Sequence, residues 1–431
     1  MTDDNQQITS LTQQTAAHLI SRMAKDARTA QHILGQSDNA ARNAALSAAA
    51  AAIRASEPEI LSANQRDRAR GADAGLTDAF IDRLTLTPES IEAMAQGLDV
   101  IAQLADPLGA ELARWTVSTG LDITRIATAL GVIGVIYESR PNVTVDAASL
   151  CIKSGNAALL RCGSDSQHTS GLLASLMQSG LKEAGLPQAS IQIMPTTDRH
   201  AVGAMLAAAG EIDVIIPRGG KGLVGRVQQE ARVPVFAHLE GICHLYVAPG
   251  AKCQMAVDIA VNAKMRRVGI CGAAETILID KAVADSHSMP IVSALIEAGC
   301  EVRGDAVIAA CDTRVIAATD DDFGQEFLAP IIAIKIVDDM EHAMRHISQF
   351  GSGHTESIIT SDEKEAEAFL THVDSAIVMH NASTQLADGG EFGMGAEIGI
   401  ATGRLHARGP VGVQQLTSFK YIVRGNGHKR E

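Results

Sequence analysis

The sulfur at position 271 is the first candidate for chemistry. Cys271 lies in the segment Asn262-Ala-Lys-Met-Arg-Arg-Val-Gly-Ile-Cys-Gly272, between a helix-like run and the β-rich stretch Glu275 to Ile279. Lys264, Arg266 and Arg267 stand shortly before it, and glycines flank the turn. The thiolate is the nucleophilic form of cysteine, and nearby positive charge or a helix end lowers a thiol's pKa, so a cysteine placed this way can attack an acyl carbon. The competing reading is a buried free cysteine acting as a small apolar side chain.

Three further groups of residues carry chemical options. Tyr137-Glu-Ser-Arg-Pro-Asn-Val-Thr144 follows a strand-like run and precedes a helical one. That order puts its side chains at the carboxyl edge of a parallel sheet, where open α/β folds bind ligands. Asn142 is there either a helix N-cap, whose oxygen satisfies free N–H groups, or an amide donor to an oxyanion. Gly220-Lys-Gly-Leu-Val-Gly225 fits G-x-G-x-x-G at a strand-to-helix junction, where a glycine backbone can approach a pyrophosphate. It comes late in its domain, and a plain glycine turn explains it equally well. His342, His346 and His354 suggest a metal, but no HExxH or Cys/His cluster of suitable spacing completes a site, so no metal is expected. The absence of a G-x-S-x-G elbow argues against an α/β-hydrolase.

The elements that must position these groups read as α/β. Hydrophobic residues are 46% of the 431-residue chain and aromatics only 3%, which favours close-packed helices on parallel sheets over an aromatic-rich sandwich. Residues 8 to 105 carry helical signals, including the alanine-rich Ala40 to Ala55 and the stripe Ile91, Met94, Leu98 and Ile101. Thr116 to Thr128 alternates about Gly120 as a two-stranded ribbon, which needs a packing partner. Strands at Val132–Tyr137, Ala157–Leu160, Ile191–Met194, Val214–Pro217 and Val235–Ala237 alternate with helices, and a second alternation runs from Leu245 to about Val378. The boundary between the two α/β domains is expected near Gly241 to His244. A net charge of −14 argues against a nucleic-acid surface, which needs a basic stripe. Seven cysteines without a CxxC pair suit a reducing cytoplasm. The start, Met1 to Gln7, has no basic or apolar leader region, and no apolar run is long enough for a membrane span.

Taken in order, six segments resemble the glutamate-5-semialdehyde dehydrogenases of the aldehyde dehydrogenase superfamily. They are Tyr137 to Thr144, Ile152-Lys-Ser-Gly-Asn156, His238-Leu-Glu-Gly-Ile-Cys-His244, the Cys271 segment, His346 through Gly351-Ser-Gly-His-Thr-Glu356, and Gly389 to Ile400 followed by Leu405-His-Ala-Arg-Gly-Pro410. The resemblance implies a phosphate-releasing reduction of L-glutamate 5-phosphate by NADPH in proline synthesis. Cys271 would form a thioacyl enzyme, with the Asn142 amide and the Cys271 backbone N–H holding the oxyanion. For the cofactor, the resemblance assigns Gly219 and Gly220 to the phosphates and Glu326 to the nicotinamide ribose. Arg161 and Ser164 stand where other members carry a lysine and a ribose-binding glutamate, which favours NADP through a 2'-phosphate contact. Arg140, Lys264 and Arg267 are candidates for the substrate's anionic groups. His238 occupies the position of the hydrolytic members' general-base glutamate, so the thioester would be spared attack by water.

The resemblance also implies an NADP-binding domain over 1–112 and 127–243, a catalytic domain over 244–407, and an oligomerisation element over 113–126 and 408–431 that makes a homo-oligomer. Arg266 and Val268 stand where the family usually has Gln and Pro, Phe350 where it has His or Tyr, and Gln385 where it often has Arg. The last bears on carboxylate recognition, because an amide cannot replace a bidentate cation. Alternatives are an oxidising or coenzyme A-acylating relative and an inactive scaffold for γ-glutamyl kinase, which is also a possible partner of the active enzyme.

Overall fold

The computed structural model describes residues 11–430, so the start Met1 to Gln7 lies outside the described residues. The chain divides into two compact units. The first runs through Ala237 and takes in Met394–Gly399 and the segment from Val411 onward. Its amino-terminal part is helical, as the alanine content dictates: Gln13–Gln36, Asn39–Ala55, Glu57–Asp73, Asp78–Leu84 and Pro88–Gln103. Thr12 and Asp38 accept backbone N–H bonds at the first two helix starts, and Thr87 and Ser90 form a reciprocal cap on the last. Ala45, Leu46, Ala49, Ala50 and Ile53 are all buried, so the alanine-rich run is a packing face.

Two antiparallel strands follow, β1 (Glu111–Thr116) and β2 (Asp122–Ala129), turning at Gly120 with φ +90°. The expected two-stranded ribbon is in fact three-stranded, because Thr417–Arg424 pairs antiparallel along the length of β2. A hairpin alone is marginal in water, and the third strand supplies the partner it needs. Next come β3 (Val132–Tyr137), β4 (Ala157–Arg161), β5 (Ile191–Ile193) and β6 (Val214–Arg218), a parallel sheet in the order β5-β4-β3-β6. The strand expected at Val235–Ala237 shrinks to a single bridge, Ile215 to Val235. Pro234 precedes it and has no N–H to extend the ladder. Ile20, Met23, Val132, Ile136 and Met205 meet in the core that joins the first helix to this sheet.

The second unit spans His238–Gly393 and Ile400–Pro410. Its strands are β7 (Cys243–Val247), β8 (Ala274–Asp280), β9 (Glu301–Gly304), β10 (Ile316–Ala317), β11 (Ile331–Val337), β12 (Thr355–Ile359) and β13 (Ile377–His380). All pair in parallel, in the order β10-β9-β11-β8-β7-β12-β13. Every residue of β7 and β8 is buried, as a sheet covered on both faces requires. Leu245 and Val247 face the helices that supply Ala256, Ala260, Ile291 and Leu295, while Tyr246 and Ala248 face those that supply Ala343, Ile347 and Phe369.

The unit boundary falls after Ala237, ahead of the expected 243/244, for a bonding reason. His238 is tied to Ile400, Gly241 to Glu326 and Ile242 to Ser352, all within the second unit. Residues 394–399, expected with the catalytic domain, group with the first unit, where Ile398 and Gly399 pair with Val411. Among the described residues, no helix is long and apolar enough to cross a membrane.

Candidate active site

In the second unit, helix Cys253–Met265 ends just before the turn that carries Cys271 into β8. The turn closes with the Ala273 N–H donating to the Ile270 carbonyl at 3.0 Å, and it leaves Cys271 partly exposed. A second segment, His238 to Ile242, lies against it. A Cβ added to Gly241 would come within 2.7 Å of both Cα and Cβ of Cys271, so only glycine allows this approach without displacing the sulfur-bearing residue. The Gly241 N–H donates to Glu326 Oε1 at 2.9 Å, and the buried Cys243 thiol donates to the Cys271 carbonyl at 3.1 Å. Burial, and after it the nearby Glu356 carboxylate, push the Cys243 thiol well above its usual range, so it stays protonated. Tertiary structure thus brings together Cys271 and Glu326, two of the expected site residues, across one glycine.

Two histidines complete this surrounding. His238 Nδ1 lies 2.6 Å from the Ile400 carbonyl and must therefore donate to it. The His238 ring packs edge-on against His354, with centroids 5.1 Å apart. His354 is fully buried, and burial lowers its pKa to about 3, which keeps it neutral. From the sequence, His354 is one of three histidines weighed as metal ligands and part of one family-like segment, with no role assigned. Its actual neighbours, His238 and Cys271, are far away in sequence, and no spacing rule points to them.

The three cations before Cys271 do not act alike. Lys264 is fully buried, and its ammonium is 2.5 Å from Glu275, so the expectation of Lys264 as a substrate contact meets a residue committed to the core. Burial raises Glu275 to about 7, with Lys264 opposing the shift. Arg267 is exposed. Arg266 is also exposed and donates to Gln385 at 3.3 Å, and the Gln385 amide donates to the Ala263 carbonyl at 2.8 Å. Two positions noted as departures from the family pattern therefore touch each other.

In the first unit, four of the five expected cofactor residues lie at or just past the carboxyl ends of β4 and β6, the two strands that flank β3. Arg161 ends β4, is nearly buried, and donates to the Thr197 carbonyl at 2.7 Å, while its Nε has no partner. Ser164 begins a short 3-10 turn and is exposed; its carbonyl accepts from Arg70. The negative charge absent at Ser164 is present beside it in Asp165, which accepts from the Ser139 hydroxyl and, with Glu138, lies close enough to act on Arg161. Gly219 follows β6, and Gly220 starts helix Lys221–Glu230. The Gly220 N–H contacts Glu138 Oε2 at 3.4 Å, and a Cβ at Gly219 would meet that same carboxylate at 2.6 Å. A phosphate seated on this helix start would have to replace Glu138, a residue the sequence reading passed over inside its own motif.

Asn142 precedes helix Val143–Lys153 but makes no side-chain cap. Its backbone is already helical, and its amide donates to Asp146 Oδ2 at 3.0 Å, so the capping reading does not hold. Burial raises Asp146 to about 6, against the Asn142 bond and the charge of Arg218. Arg140 is exposed, one residue after Ser139, whose φ of 48° is a strained, left-handed value for a side chain with a Cβ.

The sequence profile of the aldehyde dehydrogenase family matches residues 2–305. The gamma-glutamyl phosphate reductase of Mesorhizobium japonicum is 58% identical over 413 residues, covering 96% of each chain. That of Parvibaculum lavamentivorans is 55% identical, covering 97% of this chain and 99% of its own. The crystal structure of gamma-glutamyl phosphate reductase from Thermotoga maritima superposes with a TM-score of 0.93 at 39% identity, over 96% of this chain and 100% of that one. The chain belongs to the aldehyde dehydrogenase family, on its gamma-glutamyl phosphate reductase branch.

Some motifs that mark this aldehyde dehydrogenase branch prove architectural. Lys153 donates to Asn39, Asn43 and the Ala102 carbonyl, and Asn156 bridges the Gly131 N–H and the Leu416 carbonyl. Buried Glu356 accepts from both the backbone and the ring of His244. Removing any one of these buried partners would leave a costly orphan.

Proposed function

We propose that the chain reduces L-glutamate 5-phosphate to L-glutamate 5-semialdehyde with release of phosphate, a step of proline biosynthesis. The carrying observation is Cys271, partly exposed on a turn backed by Gly241 and Glu326, in a chain of this family. The Cys271 sulfur bonds to the acyl carbon, the carbon–oxygen bond to phosphate breaks, and phosphate leaves with the electron pair. The Cys271 backbone N–H is the first donor to the oxyanion, and Asn142, held by Asp146, is kept as a second donor on the family's pattern alone. NADPH, when bound, supplies the hydride that converts the thioester to the aldehyde and returns the thiolate.

The residues present fit a dinucleotide phosphate once Glu138 moves off the helix start: Arg161 keeps an unpartnered Nε at a strand end, and Gly220 starts a helix whose N–H groups favour anions. Arg161 and Ser164 favour NADP, and Asp165 sets the limit on that preference. Glu326 is proposed for the nicotinamide ribose. His238 stands in place of the hydrolytic members' glutamate and supplies no carboxylate base there, which suits protection of the thioester from water. For the anionic substrate, Arg140 and Arg267 remain candidates, and Arg266 joins them by carrying a guanidinium to Gln385. The exposed Trp115, Phe419, Tyr421 and Val423 on the three-stranded sheet suit a homo-oligomeric contact. The seven free cysteines suit the cytoplasm.

The test is mass spectrometry of protein quenched with acyl phosphate in the absence of NADPH. A glutamyl adduct on Cys271 is expected. Product formation by Cys271→Ser at the wild-type rate refutes the assignment, and coenzyme A-dependent turnover replaces the reaction.

A further inference from the structure

We propose that His238, Cys271 and His354 form a zinc site whose occupation blocks the enzyme. One ligand atom from each residue lies within 4.8 Å of the other two. A tetrahedral zinc with Zn–N of about 2.0 Å and Zn–S of about 2.3 Å needs donors some 3.3–3.6 Å apart, so closure asks for movements of about 1 Å.

A second observation points to a ligand here. The Nε2 of fully buried His354 has no hydrogen-bond partner, while its Nδ1 has Thr355 Oγ1 at 2.9 Å and the Cys243 sulfur at 3.6 Å. His238 is held by Nδ1 on the Ile400 carbonyl, the kind of outer contact that orients a metal-binding imidazole. Two imidazoles and a cysteine sulfur select a borderline-soft divalent ion; magnesium and calcium need oxygen donors. Binding releases the Cys271 thiol proton to solvent and commits the sulfur electron pair to the metal, with water in the fourth position. Zinc and acyl phosphate then compete for one sulfur. His342 and His346, which the sequence set beside His354, take no part: His346 packs among Phe323, Phe350 and His244.

Binding depends on the donor geometry alone, whereas inhibition also rests on Cys271 as the nucleophile. Zinc is titrated into the intact enzyme against a chromophoric chelator, and cobalt is used as a spectroscopic probe. One ion per chain is expected, with a thiolate-to-cobalt absorption in the near ultraviolet, and affinity falling at least about 100-fold in Cys271→Ser and His238→Asn. Turnover should fall in step with zinc occupancy and return with EDTA. Equal zinc affinity in Cys271→Ser, or a cobalt spectrum without the thiolate band in the wild type, overturns the site. Stoichiometric zinc with undiminished turnover overturns the blocking role and the nucleophile assignment while leaving the metal site standing.

Discussion

Replacing Gly241 by alanine is the most direct probe of how the nucleophile is held. Gly241 does not have a left-handed backbone, so alanine is conformationally allowed, and in open space it would be neutral or slightly stabilising. Its methyl carbon would instead stand 2.7 Å from Cα and Cβ of Cys271, with the Cys271 carbonyl oxygen nearer still. Restoring ordinary contact at 3.4 Å displaces the two segments by about 0.7 Å, or 3.4 less 2.7, and the oxygen demands more. A misplacement of about 1 Å at a reacting group costs roughly 100-fold in rate, or about 2.7 kcal/mol in the barrier. The accompanying overpacking should lower stability by about 1–3 kcal/mol. The assay is phosphate-dependent reduction of NADP with glutamate semialdehyde, run beside a thermal melt and the rate of Cys271 alkylation by iodoacetamide. Gly269→Ala is the control, since nothing lies within 4 Å of its added carbon. If Gly241→Ala keeps kcat/KM within about threefold of wild type, the turn is not held by this contact and the reasoning fails.

Lys264→Met leaves Glu275 buried without its cation, and should destabilise the protein by about 3–5 kcal/mol in urea denaturation. Adding Glu275→Leu should recover much of that loss; a double variant weaker than the single one contradicts a paired role. Asp146 has its folded pKa raised from 3.8 to about 6, chiefly by burial, so its contribution to stability is fully present below pH 3.8 and is lost as pH rises through 6. Asp146→Asn should therefore gain in melting temperature relative to wild type as pH rises from about 3.8 to 6, and an unchanged difference across that range rules the linkage out. On the three-stranded sheet, Tyr421→Lys puts a charge among Trp115 and Phe419 and should shift the mass seen by light scattering toward the single chain. An unaltered mass moves the oligomer contact elsewhere.

Much of the architecture was legible because it follows from local periodicity. The buried runs of β7 and β8 read as strands of a covered parallel sheet, and the alanine-rich Asn39–Ala55 reads as a packed helix. The third strand beside β2 was not legible, since Thr417–Arg424 finds its partner nearly three hundred residues upstream. The site shows the same division. The glycine-flanked turn of Cys271 and the strand-to-helix positions of Asn142 and Gly220 could be read from element order, whereas Arg161 and Gly219 came only from the family resemblance.

What the sequence by itself determined is which residue types stand at strand ends and turns, and hence the class of chemistry open to them. Only the tertiary structure decided that Lys264 turns inward to Glu275, that Arg266 meets Gln385, that Asp165 restores a charge near Arg161, and that Gly241, Glu326 and two histidines surround Cys271. Periodicity fixes the face a side chain presents, but its partner comes from another segment. The electrostatic character of each ionisable group depends on that partner and on the burial that packing imposes.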